Sequence, residues 1–430
     1  MTEEKFVKRQ IVLGAGASAN DGGGYPLGIE LIKFICQNND VFIQRAFEEI
    51  VAKDQSNPSK KEEISSFESD LKKFIQALKN SSAQSIDSFI VRQSDENMRK
   101  VGYSLIAGII LSFGLQKIDW YGNLLPLIFP AINIGDDEGK KIEKLKNKLE
   151  ELRLVTFNYD LSLEKFLYDF LKHNYLSGSN DKIIFDVFEE INKKIEHVYG
   201  SVIKKEDVGG FVDSYKRDGG LGLRNYFRIS SQGEVVWAVS ENIVDHGSYY
   251  SDSGCKNNNC SVSNAELIWR NIFFAYKNEN FSSIKITEEE RCSDNSSCSQ
   301  LIKCDYLYVL GFGFDLDNIN RIKLDGNICK KQVFITNYKG NQKIERIAIN
   351  ALHKIAHTNK GHTENKNVLI PIISHYGVKD ALNNDFSLLE EPMTVEKIPL
   401  DKSSNGEYSP LAAYKSSLYS IKTREQKPHD

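Results

Sequence analysis

The most constraining feature of the chain is an apolar run that ends in two closely spaced glycines: residues 11–18 read IVLGAGAS. A short apolar run of this kind indicates a buried β-strand. Because Gly14 and Gly16 have no Cβ, the backbone from Gly14 through Ala15 to Gly16 can approach a pyrophosphate closely and turn its amides toward the anion. This strand and turn predict a nucleotide site in which Gly14, Ala15, Gly16 and Ser18 contact phosphate.

The glycine turn differs from that of an ordinary dehydrogenase. The full dinucleotide-binding fingerprint is GxGxxG, followed about 20 residues later by an acidic residue that binds the ribose hydroxyls. Ala19 stands at the third glycine position, and no strand ending in Asp or Glu follows at that distance. The next segment, GYPLGIEL from Gly24, places Pro26 near the start of a helix. We expect this glycine-rich loop to fold over the ligand and Pro26 to contact the cofactor.

Hydrophobic periodicity predicts alternating strands and helices at two ends of the chain, with an all-helical block between them. The predicted strands are 10–13, 152–158, 195–199, 234–239, 306–310 and 332–336. The predicted helices are 26–37, 41–52, 62–79, 86–115, 138–149, 161–171, 182–194, 264–276, 317–324 and 341–354. Strands separated by helices pair in parallel with both sheet faces covered. We therefore expect an α/β fold with a doubly wound, mostly parallel sheet and a large helical insertion.

Six short motifs follow one another along the chain. They are GAGAS (14–18), GYPLG (24–28), SIDSFI (85–90), TFNYD (156–160), HVYGS (197–201) and GFGF (311–314), the last followed by Asn318 or Asn320. In this order they resemble the sirtuin-like NAD-consuming domains, particularly the bacterial branch that hydrolyses NAD+ during defence against phage. The resemblance spans residues 8–340 and implies a Rossmann-like, sirtuin-like fold.

The extent of this resemblance suggests how the chain is divided. We expect a sirtuin-like NAD-binding domain over 1–340, with its helical insertion at about 38–150 and an irregular subdomain at about 200–263. Residues 341–430 form a C-terminal extension that we expect to be helical in part. It ends in a tail rich in Ser, Lys and Glu, a composition typical of flexible segments.

The resemblance implies that Asn158 and His197 are catalytic. Cleavage of the nicotinamide glycosidic bond passes through an oxocarbenium-like transition state. An amide side chain both donates and accepts, so Asn158 can hold a ribose hydroxyl and a water, and a histidine can take a proton near neutral pH. His197 follows Asn158 by 39 residues, a strand–helix–strand distance like that in the bacterial relatives. His246, in DHGS, is the alternative base.

The motifs mark other candidate contacts. Asp160 is a third catalytic candidate, which contacts nicotinamide or holds the loop, or else caps the helix that follows it. Asp87 either approaches the cofactor or caps its own helix. Gly311, Gly313 and Asn337 correspond to the family's adenosine-ribose contacts.

By this resemblance the chain is expected to be an NAD+ glycohydrolase that releases nicotinamide and ADP-ribose, with NAD+ as its substrate. The protein deacylases of the family carry Asp-Phe-Arg after the proline, and this chain does not carry it after Pro26. A deacylase and a non-catalytic module that senses NAD+ or ADP-ribose remain alternatives.

An enzyme that depletes a central metabolite must be restrained. We therefore expect a homo-oligomer under the control of a partner protein. The resemblance suggests a HerA-type ATPase or a phage-derived trigger, within an abortive-infection defence system.

Cysteines raise the question of zinc. Cys255, Cys260, Cys292, Cys298 and Cys304 lie where histone-type sirtuins carry a four-cysteine zinc module. Their spacings, CxxxxC and CxxxxxC, are looser than the usual knuckles, whose short turns bring two thiolates to one ion. The sequence favours free thiols over zinc, and it favours structural roles for Cys36 and Cys329.

Histidines offer a second candidate metal site, at His353, His357 and His362. The first two are spaced i, i+4, but no Glu lies between them to act as a base. Cationic side chains are also favourable at a helix C-terminus. We therefore predict no metal ligands in this chain.

Composition indicates a globular protein, since 40% of the residues are hydrophobic and 27% are charged. The net charge of −4 gives no overall attraction to nucleic acid, and direct nucleic-acid binding is not indicated. The N-terminus lacks the apolar core of a signal peptide, and no apolar run is long enough to span a membrane. We expect a cytoplasmic protein that does not bind membranes.

Overall fold

The computed structural model describes residues 6–19, 25–37, 58–113, 115, 118–214, 226–229, 235–238, 268, 271–278, 282–287, 301–324, 329–353 and 371–384.

Eight strands lie in these residues. They are β1 (Phe6–Leu13), β2 (Leu152–Thr156), β3 (Ile195–His197), β4 (Tyr226–Ile229), β5 (Val235–Ala238), β6 (Lys303–Leu310), β7 (Cys329–Thr336) and β8 (Ile372–Ser374). Six of them form one all-parallel sheet in the order β3-β2-β1-β6-β7-β8. The doubly wound α/β fold predicted from the sequence is confirmed. β4 and β5 form a separate antiparallel pair, and β5 is the strand predicted at 234–239.

The apolar run of β1 forms the centre of the sheet. Ile11, Val12 and Leu13 are almost completely buried, so successive side chains on both faces of the strand are covered. A continuous apolar strand, rather than an alternating one, is typical of a parallel sheet with helices on both faces. β2 on one side and β6 on the other pair with β1 along its length.

The strand order creates a switch point in the middle of the sheet. Read along the chain, the parallel strands lie in the spatial order third, second, first, fourth, fifth, sixth, which is the order of dinucleotide-binding sheets. Leu13, at the end of β1, is in register with Thr156 of β2 and with Leu310 of β6. The segments that follow these strands therefore meet at the carboxyl edge, where doubly wound sheets bind ligands.

Helices cover the sheet and form the block that precedes β2. They are α1 (Gly16–Ala19), α2 (28–37), α3 (Pro58–Lys79), α4 (Ile86–Ile90), α5 (Glu96–Phe113), α6 (Leu125–Ile128), α7 (Glu138–Glu150), α8 (Ser162–Phe170), α9 (Asp181–Asn192), α10 (Val208–Ser214), α11 (271–277), α12 (Leu316–Ile322), α13 (Gln342–His353) and α14 (Val378–Asn384). Short 3₁₀ segments lie at Asp119–Leu124, Lys205–Asp207 and Tyr338–Gly340, and a π-turn at Leu171–Tyr175 extends α8.

The single helix predicted over 86–115 is wrong. The structure has two helices there, α4 and α5, separated by a turn at 91–95. The Asp95 carboxylate accepts a hydrogen bond from the Asn97 amide at 2.9 Å, which satisfies a free donor at the start of α5. Apolar side chains recur on both sides of this turn and hide it from a reading based on periodicity.

The sheet continues past residue 340. α13 leads to β8, which pairs with the end of β7 through Phe334, Ile335 and Thr336. The helix predicted at 41–52 lies outside the described residues, as does the C-terminal tail. Within the described ranges, no helix is both long and apolar enough to span a membrane.

Candidate active site

The two glycine turns of the sequence pack directly against each other at the switch point. The Gly14 amide donates to the Leu310 carbonyl and the Gly16 amide to the Gly311 carbonyl, both at 2.9 Å. A Cβ on Gly14 would lie 2.4 Å from the Gly311 oxygen, and one on Gly311 would lie 2.1 Å from the Ala17 nitrogen. The absence of side chains at these positions is therefore required first by the contact between the two turns.

The residues expected to contact the cofactor differ in their exposure to solvent. Ala15 and Gly313 are exposed, and a Cβ on Gly313 would meet nothing within 4 Å. Ser18 is buried, and its hydroxyl lies 3.4 Å from the Ala15 carbonyl within the same turn. Pro26 is half-buried in the segment before α2. Ala15 and Gly313 thus leave free surface for a ligand, whereas the Ser18 hydroxyl points back into the turn.

Asn158 follows β2 and is held by its backbone. Its backbone amide donates a hydrogen bond to the Thr156 hydroxyl at 3.0 Å, and Thr156 is the last residue of the strand. The residue is 8% exposed. Among the described residues, its side-chain oxygen Oδ1 has no hydrogen-bond partner. Buried polar atoms are almost always paired, so this oxygen is suited to accept a hydrogen bond from a ligand.

His197 ends β3 and lies beside Asn158, with both ring nitrogens engaged. Nδ1 is 2.7 Å from the Asn158 carbonyl oxygen, and Nε2 is 2.7 Å from Glu164 Oε1. A carbonyl and a carboxylate both accept, so both nitrogens carry protons in this arrangement. Burial lowers the pKa of His197, but the Glu164 carboxylate and the hydrogen bond to Asn158 outweigh it, and the pKa is raised overall.

The structure thus places the two expected catalytic residues in contact. The contact joins the His197 ring to the backbone carbonyl of Asn158 and does not involve the Asn158 side chain. In this arrangement the imidazolium holds the Asn158 loop and has no free nitrogen to accept a proton. Glu164, on the first turn of α8, was not identified from the sequence. An acidic residue there is an ordinary helix N-terminal feature, so no sequence signal sets it apart.

Asp160 lies in the same loop, and its carboxylate accepts from the Ser162 amide at 3.0 Å at the start of α8. The N-cap residue of α8 is Leu161 and not Asp160, so this contact stabilises the turn that leads into the helix. Burial, followed by the charge of Glu164, raises the pKa of Asp160 to about 6 despite that hydrogen bond. The Ser162 hydroxyl in turn lies 2.6 Å from the Tyr25 hydroxyl, which follows the first glycine loop.

A second set of contacts joins the helical block to this loop. The Tyr159 hydroxyl donates to the Asp87 carboxylate. Ser85, not Asp87, caps α4, since its side chain accepts from the Ser88 amide. Burial raises the pKa of Asp87, with the Tyr159 hydrogen bond acting in the opposite direction. SIDSFI and TFNYD therefore meet through Asp87 and Tyr159.

Tyr199 makes the matching connection on the other side of Tyr159. The two rings stack with centroids 6.0 Å apart, and the Tyr199 hydroxyl donates to Asn318 on α12. The Arg321 guanidinium lies over the Tyr199 ring, 4.9 Å from its centroid. Of the two asparagines that follow GFGF, Asn318 accepts the hydrogen bond from Tyr199 at the carboxyl edge, whereas Asn320 is exposed.

Asn337 follows β7 at the same edge of the sheet. Its side chain is committed to the loop: Nδ2 donates to the Asn341 carbonyl at 3.0 Å, and Oδ1 accepts from the Asn341 amide at 3.1 Å. His246, the alternative base, lies outside the described residues, as do His357, His362 and four of the five clustered cysteines. The fifth, Cys304, is buried in β6.

Among the residues that the structure describes, no three His, Cys, Asp or Glu side chains converge as metal ligands. Comparisons with protein-family models, with curated proteins and with solved structures find no match. The function is therefore inferred from the geometry of the carboxyl edge and from the motifs located there.

Proposed function

We propose that the chain is an NAD+ glycohydrolase that cleaves NAD+ to nicotinamide and ADP-ribose. The observation that carries the proposal is the unpartnered, buried Oδ1 of Asn158 at the carboxyl edge of a sheet with the dinucleotide-binding strand order. The exposed backbone at Ala15 and Gly313, on the two glycine turns, supports a phosphate contact nearby. NAD+ is the substrate in this proposal, and zinc has no role in it.

The residues around Asn158 suit the charge that develops in the reaction. Loss of nicotinamide leaves an electron-poor ribose, which oriented carboxylates and dipoles stabilise. Asn158 Oδ1 accepts from a ribose hydroxyl or an attacking water. The Asp160 carboxylate, with a pKa raised by burial to about 6, is ionised at neutral pH and basic enough to take the proton from that water.

His197 has a different task in this scheme from the one expected from the sequence. Its two ring nitrogens join the Asn158 carbonyl to Glu164, so we assign it to holding the Asn158 loop in position. Glu164 balances the imidazolium charge, which would otherwise oppose a cationic transition state. Asn158 and Asp160 then act on the substrate, with His197 and Glu164 behind them.

The biological setting rests on the six motifs alone. We propose a regulated effector of an anti-phage defence system, which assembles with copies of itself and is released by a HerA-type ATPase or a phage-derived trigger. The contact between Asp87 of the helical block and Tyr159 beside Asn158 gives such a partner a direct connection to the site.

The test is chromatographic analysis of NAD+ after incubation with the full chain, alone and with a HerA-type ATPase from the same genome. We expect equal amounts of nicotinamide and ADP-ribose, and a loss of about 100-fold or more in Asn158→Ala. Asn320→Ala, an exposed asparagine, is the matched control. NAD+ loss only when an acylated peptide is present would indicate a deacylase instead, and tight NAD+ retention without turnover would indicate a sensor.

A further inference from the structure

Two cysteines lie opposite each other on neighbouring strands, away from the carboxyl edge. Cys304 of β6 and Cys329 of β7 are directly paired in the parallel ladder, beside an irregularity in its register. Both are free thiols, and the Cys329 thiol donates to the Gln332 and Asp305 carbonyls at 2.9 and 3.1 Å. Paired residues of adjacent strands share one sheet face, and the strands lie about 4.8 Å apart, within the Cα separation that a disulfide spans.

The two thiols differ in their surroundings. Cys304 is completely buried, whereas Cys329 is 6% exposed and starts β7. β8 pairs only with the last residues of β7, Phe334–Thr336, so among the described strands Cys329 has a neighbour on the β6 side alone. The Cys304 side chain lowers the pKa of Cys329, whereas Cys329 and burial raise the pKa of Cys304. Because Cys329 is the more exposed of the two and lies at the start of its strand, it is the thiol that meets an oxidant first.

We propose that Cys304 and Cys329 form a reversible thiol–disulfide site that is oxidised by hydrogen peroxide. The Cys329 thiolate attacks one peroxide oxygen, the O–O bond breaks, and hydroxide leaves, giving a sulfenic acid. The Cys304 sulfur then attacks the Cys329 sulfur, the S–O bond breaks, and water leaves as the S–S bond forms. Two thiols are oxidised, and one peroxide is reduced to two waters.

The position of the pair gives the disulfide a structural consequence. The chain between Cys304 and Cys329 contains the Gly311 turn and α12, which carries Asn318 and Arg321. A bond between the two cysteines closes this strand–turn–helix segment at its base. Oxidation should therefore reduce local opening of this segment, including the part that reaches the carboxyl edge.

The test exposes the folded full-length protein to hydrogen peroxide, blocks the remaining thiols, and maps the peptides by mass spectrometry. We expect a Cys304–Cys329 linked peptide, lighter by about 2 Da than the two thiol peptides together and lost on reduction with dithiothreitol. Hydrogen exchange across 311–322 should slow in the oxidised protein. Cys36→Ser, which removes the other described free thiol, should leave the link intact.

Cys304→Ser should leave Cys329 as a sulfenic acid that reacts with dimedone. The proposal is overturned if the linked peptide forms only after unfolding in urea. It is equally overturned if Cys329 proceeds to a sulfinic acid in the wild-type chain while Cys304 stays a thiol. The mapping of the wild-type protein decides the matter even if Cys304→Ser does not fold.

Discussion

His197 Nε2 lies 2.7 Å from Glu164 Oε1, and the other ring nitrogen lies 2.7 Å from the Asn158 carbonyl oxygen. Glu164 is 1% exposed on its side chain and His197 is 12% exposed, so the pair is shielded from solvent. Three residues, from the loop after β2, from β3 and from α8, are thereby fixed to one another at the carboxyl edge. The pair determines both the charge of the imidazole and the position of the Asn158 backbone.

Glu164→Gln should lower the pKa of His197, because the amide removes the negative charge that raises it and leaves burial to dominate. The measurement is an NMR titration of the imidazole in the variant and in the wild-type chain. Glu150→Gln, on an exposed position of α7, serves as the control and should leave the titration unchanged. An unshifted His197 titration in Glu164→Gln would show that the pair does not form in solution.

The same pair predicts a pH dependence of stability. The pKa of His197 in the folded chain is above its ordinary value of 6.5, so its contribution to stability is fully present below that pH. It is lost as the pH rises through the folded-state pKa. Urea unfolding across this window should show a steeper loss of stability in the wild-type chain than in Glu164→Gln.

Asp160→Asn should stabilise the chain at neutral pH while abolishing turnover. The pKa of Asp160 rises from 3.8 to about 6 on folding, so its contribution to stability falls as the pH rises through this range. Above pH 6 the buried carboxylate costs up to about 3 kcal/mol. Asparagine keeps the acceptor for the Ser162 amide but carries no charge. Urea unfolding at pH 7.5 should show that Asp160→Asn is more stable than the wild-type chain, and unfolding at pH 4 should show a much smaller difference. Equal stability changes at the two pH values would contradict the raised pKa of Asp160.

Much of this edge could be predicted because its signals are local. An apolar run followed by glycines or by Asn158 indicates the carboxyl end of a buried strand. Because the strands pair in parallel, their carboxyl ends lie at the same edge of the sheet. The predicted strands at 10–13, 152–158 and 306–310 therefore led to the correct fold class. What the sequence could not give is the side-chain partner of each residue, since contacts such as Glu164 with His197 depend on packing between distant elements.

Gly311→Ala should destabilise the fold, whereas Gly313→Ala should not. Gly311 has φ +60°, which costs a residue with a Cβ at least about 1–2 kcal/mol, and its Cβ would also collide with the Ala17 backbone. Gly313 has open space in place of a Cβ. Thermal unfolding of the two variants checks this, and equal melting temperatures would show that the two glycine turns do not pack together as described.

Asn318→Ala should cost about 1 kcal/mol, because the buried Tyr199 hydroxyl loses its acceptor. Asn320→Ala changes an exposed position of the same helix and should leave the unfolding free energy unchanged. Chemical denaturation of both variants tests the contact. A larger loss in Asn320→Ala than in Asn318→Ala would contradict the choice between the two asparagines.

Two places show why parts of the fold escaped prediction. The turn at 91–95 was hidden because apolar side chains continue on both sides of it, so α4 and α5 read as one helix. β8 is three residues long, too short for a recognisable period, and it is added to the sheet by pairing with β7 rather than by its own pattern. In both places the local sequence allows more than one secondary structure, and tertiary contacts determine which one forms.

Calorimetric titration of NAD+ into the wild-type chain and into Asn158→Ala tests the central claim most directly, because binding does not require an activating partner. The account predicts saturable binding to the wild-type chain and binding about fivefold to tenfold weaker in the variant, as expected from the loss of one hydrogen bond to the buried oxygen. Circular dichroism should show that both chains are folded. Equal NAD+ affinity in the two proteins, or no binding to either, would contradict it.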